Sequence, residues 1–150
     1  MRVIDAARKQ PATVTPERTV TEAAEEMDRC AVGALVVVEP EGRPVGIVTD
    51  RDLVVRGMAR RVSGDARVDS VMSTDLVTLP VDADLRDAFG LFETHAVRRI
   101  PLVDGAHLAG VVTLDDLVVD LASDLGRLAR PVTAQVLFGH SEPVAPAVPA

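Results

Sequence analysis

The chain has no tryptophan, no tyrosine and only three phenylalanines, Phe89, Phe92 and Phe138. Proteins that read single-stranded nucleic acid stack bases on aromatic rings, and this composition offers almost none. Positive charge is also scarce: 16 Lys and Arg stand against 23 Asp and Glu, a formal net charge of −7. Non-specific attraction to DNA or to an anionic membrane depends on excess positive charge, so neither nucleic acid nor membrane is an expected partner. A small anion stays possible where basic residues gather locally. Cys30 is the one cysteine, so no internal disulfide can form, which suits a reducing cytoplasm. Apolar runs are short, of the ALVVV kind at 34–38, far below the length of a membrane span. MRVIDAARKQ at 1–10 lacks the apolar stretch of a secretory signal.

Catalytic and metal-binding patterns are missing too. His95, His107 and His140 are scattered, with no pair at helical ligand spacing and no second cysteine, so no metal site is expected. There is no Walker glycine loop, no G-x-G-x-x-G, and no Ser, His and Asp set that pairs a nucleophile with a base. An enzyme is therefore not expected, and no cofactor is required.

What the sequence does have is repetition. GIVTDRDLV at 46–54 returns as GVVTLDDLV at 110–118, 64 positions on. Upstream, VTEAAEEMDRCAVGALVVV at 20–38 lies over LRDAFGLFETHAVRRIPLV at 85–103, 65 positions on. The one-residue difference falls in EPEGRPV against the shorter DGAHLA. Length changes belong in turns.

Each copy reads the same way. Val20, Ala23, Ala24 and Met27 recur at helical spacing, as do Leu85, Ala88, Phe89 and Phe92, with Thr19 and Asp84 as N-caps. Apolar runs at 35–38 and 45–49, and at 100–103 and 108–113, are separated by Gly- or Pro-containing turns and read as hairpins. A second helix follows each, over about 50–58 and 114–125. A short strand precedes each unit, at 13–15 and 76–78. The fold class is α+β, a β-α-β-β-α unit written twice. The expected division is residues 1–64, residues 65–126, and a C-terminal arm and Pro/Ala-rich tail over 127–150. Residues 131–140 read as a last strand or docking arm, and 141–150 as disordered.

Thr49-Asp50-Arg51-Asp52 and Thr113-Leu114-Asp115-Asp116 have the form of capping boxes, which is a purely structural role. A Thr hydroxyl and a carboxylate at a strand-to-helix exit also suit a ribose, because the carboxylate accepts hydrogen bonds from two adjacent hydroxyls.

Twin units ending in G-h-h-T-x-x-D-L resemble CBS domains, here as a tandem pair or Bateman module, over most of the chain up to about residue 126. The resemblance implies two repeats packed about a pseudo-two-fold axis, often as a homodimer. It implies up to two clefts for AMP, ADP or ATP, with a regulatory output to a partner protein. Carried over residue by residue, the ribose ligands are Thr49 and Asp52 in one cleft, and Thr113 and Asp116 in the other. The phosphate ligands are Arg98 and Arg99, with Arg51 inside the first motif. The adenine would lie against Val14 and Val36, or Val77 and Pro101. The first copy departs from the family at its entry, where DAARKQPATVT replaces DSVMSTDLVT. Two alternatives stand beside this reading: an interaction protein of the same fold with no ligand, and a sensor of S-adenosylmethionine, whose cationic sulfonium suits Asp115.

Overall fold

The computed structural model describes residues 1–7 and 10–137. The first repeat runs β1 (Thr13–Val14), α1 (Val20–Cys30), β2 (Ala34–Val38), β3 (Pro44–Thr49) and α2. Helix α2 opens as Asp50–Asp52, widens to π geometry over Leu53–Gly57 and tightens to a 3-10 turn at Met58–Arg60. The second repeat runs β4 (Leu79–Pro80), α3 (Leu85–Thr94), β5 (Arg99–Asp104), β6 (His107–Thr113) and α4 (Leu114–Leu137). The α+β class and the doubled β-α-β-β-α unit are thus present.

Each repeat builds a three-stranded sheet, in the orders β1-β2-β3 and β4-β5-β6. The first pair in each sheet is parallel and the second antiparallel. A bulge falls at the same place in both hairpins, between Val37 and Val38 and between Leu102 and Val103. The hairpin turns use Gly42 at φ 87° and Gly105 at φ 59°, backbone conformations that side chains disfavour.

Strand β4 lies later than the expected 76–78. Its register explains why: Leu79 pairs with Leu102 as Val14 pairs with Val37, and Leu79 packs against the second core. Pro80 is tolerated because β4 is an edge strand.

The core is aliphatic, as a chain poor in aromatics requires, and it is split in two. Val14, Ala23, Met27, Leu35, Val37, Val48 and Leu53 fill the first cluster, joined by Val68 and Val71 from the link between repeats. Ala88, Ile100, Leu102, Val112 and Leu117 fill the second, joined by Val3 and Ala6. Residues ahead of the first repeat therefore pack on the second, and residues ahead of the second pack on the first.

The exchange is bonded as well as packed. Val3 N donates to Ala83 O and Val68 N to Arg18 O, both at 2.8 Å. At the helix starts, Leu85 N donates to Met1 O at 2.9 Å and Val20 N to Ala66 O at 2.8 Å. These first-turn amides have no partner inside their own helices, so each crossing segment supplies one. The 3-10 turns Val3–Ala6 and Val68–Ser70 carry the crossing residues. A turn of helix near 68–72 was expected; its twin at the chain start was not.

Helix α4 runs on past the expected 125 to Leu137, with Pro131 inside it. Residues 131–137 are helical rather than a strand. The expected disorder of 141–150 lies outside the described residues.

Candidate functional site

A cleft of about 320 Å³ opens where the two repeats meet. The first repeat contributes Pro11, Ala12, Val32, Gly33, Val36 and Ile47 to its walls. The second contributes Arg99, Val111, Thr113, Asp115 and Asp116. One wall is apolar and the other carries a hydroxyl, carboxylates and a guanidinium.

Local sequence explains each placement. Strand β3 alternates, with Gly46 and Val48 buried and Ile47 turned the other way. An apolar residue on the outward face of a strand needs something to cover it. Val111 holds the equivalent place on β6 and reaches the same cleft. Strand β2 is apolar on both faces, with Leu35, Val36 and Val37 all buried, so Val36 can serve a cleft wall while its neighbours serve the core.

The motif residues sit at the exits of β3 and β6. Thr49 Oγ1 accepts from Asp52 N at 3.1 Å, and Asp52 Oδ2 accepts from Thr49 N at 2.9 Å. Asp52 Oδ1 lies 3.7 Å from Arg56 Nε. In the second repeat Thr113 Oγ1 accepts from Asp116 N at 3.0 Å and donates to Asp116 Oδ2 at 2.7 Å. Both pairs therefore act as helix caps. At each carboxylate the cap uses Oδ2 and leaves Oδ1 uninvolved in capping.

The arginines divide their roles. Arg98 donates to Asp115 Oδ1 at 2.9 Å, an exposed pair, and does not line the cleft. Arg99 is half-buried, lines the cleft, and has no ion pair among the described residues. Among the described residues that line the cleft it is the cation available to an anion, while Asp115 is offset by Arg98.

The structure thus brings Thr113, Asp116, Arg99 and Val36 together. Thr49, Asp52, Arg51, Arg98, Val14, Val77 and Pro101 do not line this cleft. Thr49, Arg51 and Asp52 are the first-repeat counterparts of Thr113, Asp115 and Asp116. Val14 belongs to the first core and borders another cavity, of about 480 Å³, on the outer side of α1. That larger cavity is lined by Glu22, Glu25, Glu26 and two arginines already held, Arg18 by Glu22 at 2.8 Å and Arg29 by Glu26 at 2.5 Å. Its chemistry repels anions, so size does not make it the better candidate. Sequence reading missed Pro11, Ala12, Ile47 and Val111; the unused signal was the apolar residue on the outward face of each hairpin strand. Among the described residues, no three of His, Cys, Asp and Glu converge as a metal site would require.

Fold and cleft together define a class: a pair of small repeated domains that share a ligand-sized cleft between them. The chain belongs to the CBS domain family, whose pattern matches residues 3–58 and 68–123. It is 43% identical over 122 residues to the CBS domain-containing protein YhcV of Bacillus subtilis, covering 81% of this chain and 86% of that one. Among solved structures it resembles Hypoxic Response Protein I, which coordinates two zinc ions (TM-score 0.72, 27% identity, 79% of this chain and 97% of the other). It also shares its fold with a CBS domain protein of Pyrobaculum aerophilum complexed with AMP (TM-score 0.72, 23% identity, 82% of this chain and 99% of the other). CBS-pair proteins are in general regulatory and non-catalytic.

Proposed function

We propose that this chain senses an adenosine nucleotide, AMP, ADP or ATP, in the inter-repeat cleft and passes energy or stress state to a partner protein. One observation carries the reading. Thr113 and Asp116 face an apolar wall of Val36 and Ile47 in a cleft that also holds Arg99, which has no ion pair among the described residues. A nucleotide has the matching order of parts: a flat apolar base, a diol and an anion. Asp116 Oδ1 and the Thr113 hydroxyl take the ribose, Arg99 takes the phosphate, and Val36, Val32 and Ile47 cover the base. We assign Thr49, Asp52 and Arg51 to a second, equivalent site. The module works in the cytoplasm as a homodimer, without catalysis and without a required cofactor.

Titration calorimetry on protein stripped of ligand by unfolding and refolding tests this, with AMP, ADP, ATP and S-adenosylmethionine as probes. Micromolar binding of an adenosine phosphate that weakens in Arg99→Ala and Asp116→Ala is the expected result. A second reading, a ligand-free interaction module, is favoured by one observation: both Thr–Asp pairs are already satisfied as caps. It predicts no heat from any of the four. Binding of S-adenosylmethionine alone would move the assignment to the sulfonium and Asp115.

A further inference from the structure

We infer that Arg56 is a positioning residue for the first-repeat site: it aims the Asp52 carboxylate and ties it to the link between the repeats. Arg56 has this role only if Thr49 and Asp52 hold a ribose, as proposed above.

Three groups converge on one guanidinium. Arg56 Nε lies 3.7 Å from Asp52 Oδ1. Arg56 Nη1 donates to Met72 O at 3.1 Å and to Val71 O at 3.4 Å. Asp52 and Arg56 stand four residues apart, a spacing that brings two helical side chains together. Arg56 lies where α2 widens to π geometry, a feature that recurs at functional sites. Among the described residues it is the donor to both carbonyls of the link, and these bonds are part-buried. Buried carbonyls left without a donor cost free energy, so the guanidinium is held in place before any ligand arrives.

A held guanidinium in turn holds Asp52. The cap uses Oδ2, which accepts from Thr49 N, and Oδ1 faces Arg56. The Asp52 side chain is 17% exposed and that of Arg56 41%. At 3.7 Å the contact is an ion pair longer than a hydrogen bond. Arg56 thus orients the carboxylate by charge and leaves the Oδ1 lone pairs to a hydroxyl. The second repeat has no copy of this device. Position 56 corresponds to Asp120, an acid, which cannot form an ion pair with Asp116. The anchor also reaches toward the other cleft. Next to Met72, Ser73 N donates to Ile47 O at 2.8 Å and Ile47 N to Ser73 O at 3.0 Å. Ile47 lines the cleft of Thr113 and Asp116. Arg56 therefore stands between the two sites, beside Asp52 on one hand and joined to the cleft wall through the link on the other.

Calorimetry on the full chain, one site at a time, tests this with AMP and adenosine as probes. An Asp116→Ala background leaves the Asp52 site to be read, and an Asp52→Ala background leaves the Asp116 site. Arg56→Gln should weaken AMP about fivefold in the first background, the upper range for a partly exposed ion pair, and by less than about twofold in the second. Adenosine should lose as much as AMP in the first background, because both carry the diol. Arg56→Lys keeps a charge beside Asp52 and should fall between wild type and Arg56→Gln; it carries the comparison if Arg56→Gln does not fold. Equal losses at both sites would show a merely structural role and overturn the inference, as would no loss at the Asp52 site. A loss for AMP without one for adenosine would make Arg56 a phosphate ligand and overturn it too. No AMP binding in wild type would overturn the nucleotide reading and this inference with it. AMP binding that Asp52→Ala leaves unchanged would remove Asp52 as a ligand, and Arg56 with it, while the Asp116 site stands.

Discussion

Replacing Asp116 by alanine separates the two roles this carboxylate can play. In the free protein Asp116 Oδ2 accepts one hydrogen bond from Thr113 at 2.7 Å, at the first turn of α4. Losing a bond of this kind costs about 1 kcal/mol. In a chain of this size that lowers the melting temperature by roughly 2–4 °C. If the carboxylate also holds a ribose, the loss on binding is separate and larger. Hydrogen bonds to a charged group contribute about 1.5–3 kcal/mol, and a tenfold change in affinity corresponds to about 1.4 kcal/mol. Asp116→Ala should therefore weaken AMP binding by roughly 10- to 100-fold, read by calorimetry at 25 °C. Free adenine, which has no ribose, should bind wild type and variant alike. An AMP affinity within about twofold of wild type would refute the ribose assignment, whatever happens to the melting temperature.

Arg99→Ala should weaken AMP at least tenfold and leave adenosine unchanged, because Arg99 is the cation in the cleft without an ion pair among the described residues; equal losses for both ligands would remove its phosphate role. Gly46→Ala places a Cβ 2.7 Å from Ser73 O and 2.8 Å from Met72 Sδ, so thermal melting should show a loss of about 1–3 kcal/mol. Gly90→Ala meets nothing within 4 Å inside α3 and should stabilise by about 0.5–1 kcal/mol. Acid should weaken the start of α1: the Thr19 amide first, then the Arg18 guanidinium, hold the Glu22 carboxyl below its ordinary value. A carboxyl lowered in the folded state adds stability above its unfolded value and loses it as pH falls through the folded one. Glu22→Gln should therefore narrow the difference in melting temperature between neutral and acid pH, and an unchanged difference would deny the contribution.

The doubled unit was legible because each element carries its own local signal. Thr19 and Asp84 cap α1 and α3 as their spacing predicts, and Gly42 and Gly105 turn the hairpins. What was not legible is long-range. Val3 and Val68 stand at equivalent places, but no local pattern says that each fills the other repeat's core. Pro131 reads as a stop, since it removes an amide from the helical ladder, yet the three-and-four apolar spacing from Val118 to Val132 continues through it, and the helix follows the spacing. In the site, the polar residues were named from the motif because ribose chemistry restricts their type. Pro11, Ala12 and Ile47 were not, because any small or apolar residue can form a wall and only the fold brings those to Thr113. The adjacent Arg98 and Arg99 look alike in sequence; the structure divides them through Asp115, which takes the first and leaves the second to the cleft.

The capping role and the proposed binding role of Thr113 and Asp116 are not competitors. A ligand gains most from groups already held in place, since ordering them on binding costs affinity. The cap fixes Thr113 against Asp116 N at 3.0 Å and fixes the carboxylate through Oδ2, before any ligand arrives. What remains is Oδ1, pre-aimed from a rigid strand-to-helix junction. The junction also couples the cleft to α4, because Asp116 lies in its first turn. A ligand that draws on Asp116 acts on the start of α4, whose residues 121–137 are all exposed. A binding event between the repeats thus has a short mechanical route to α4.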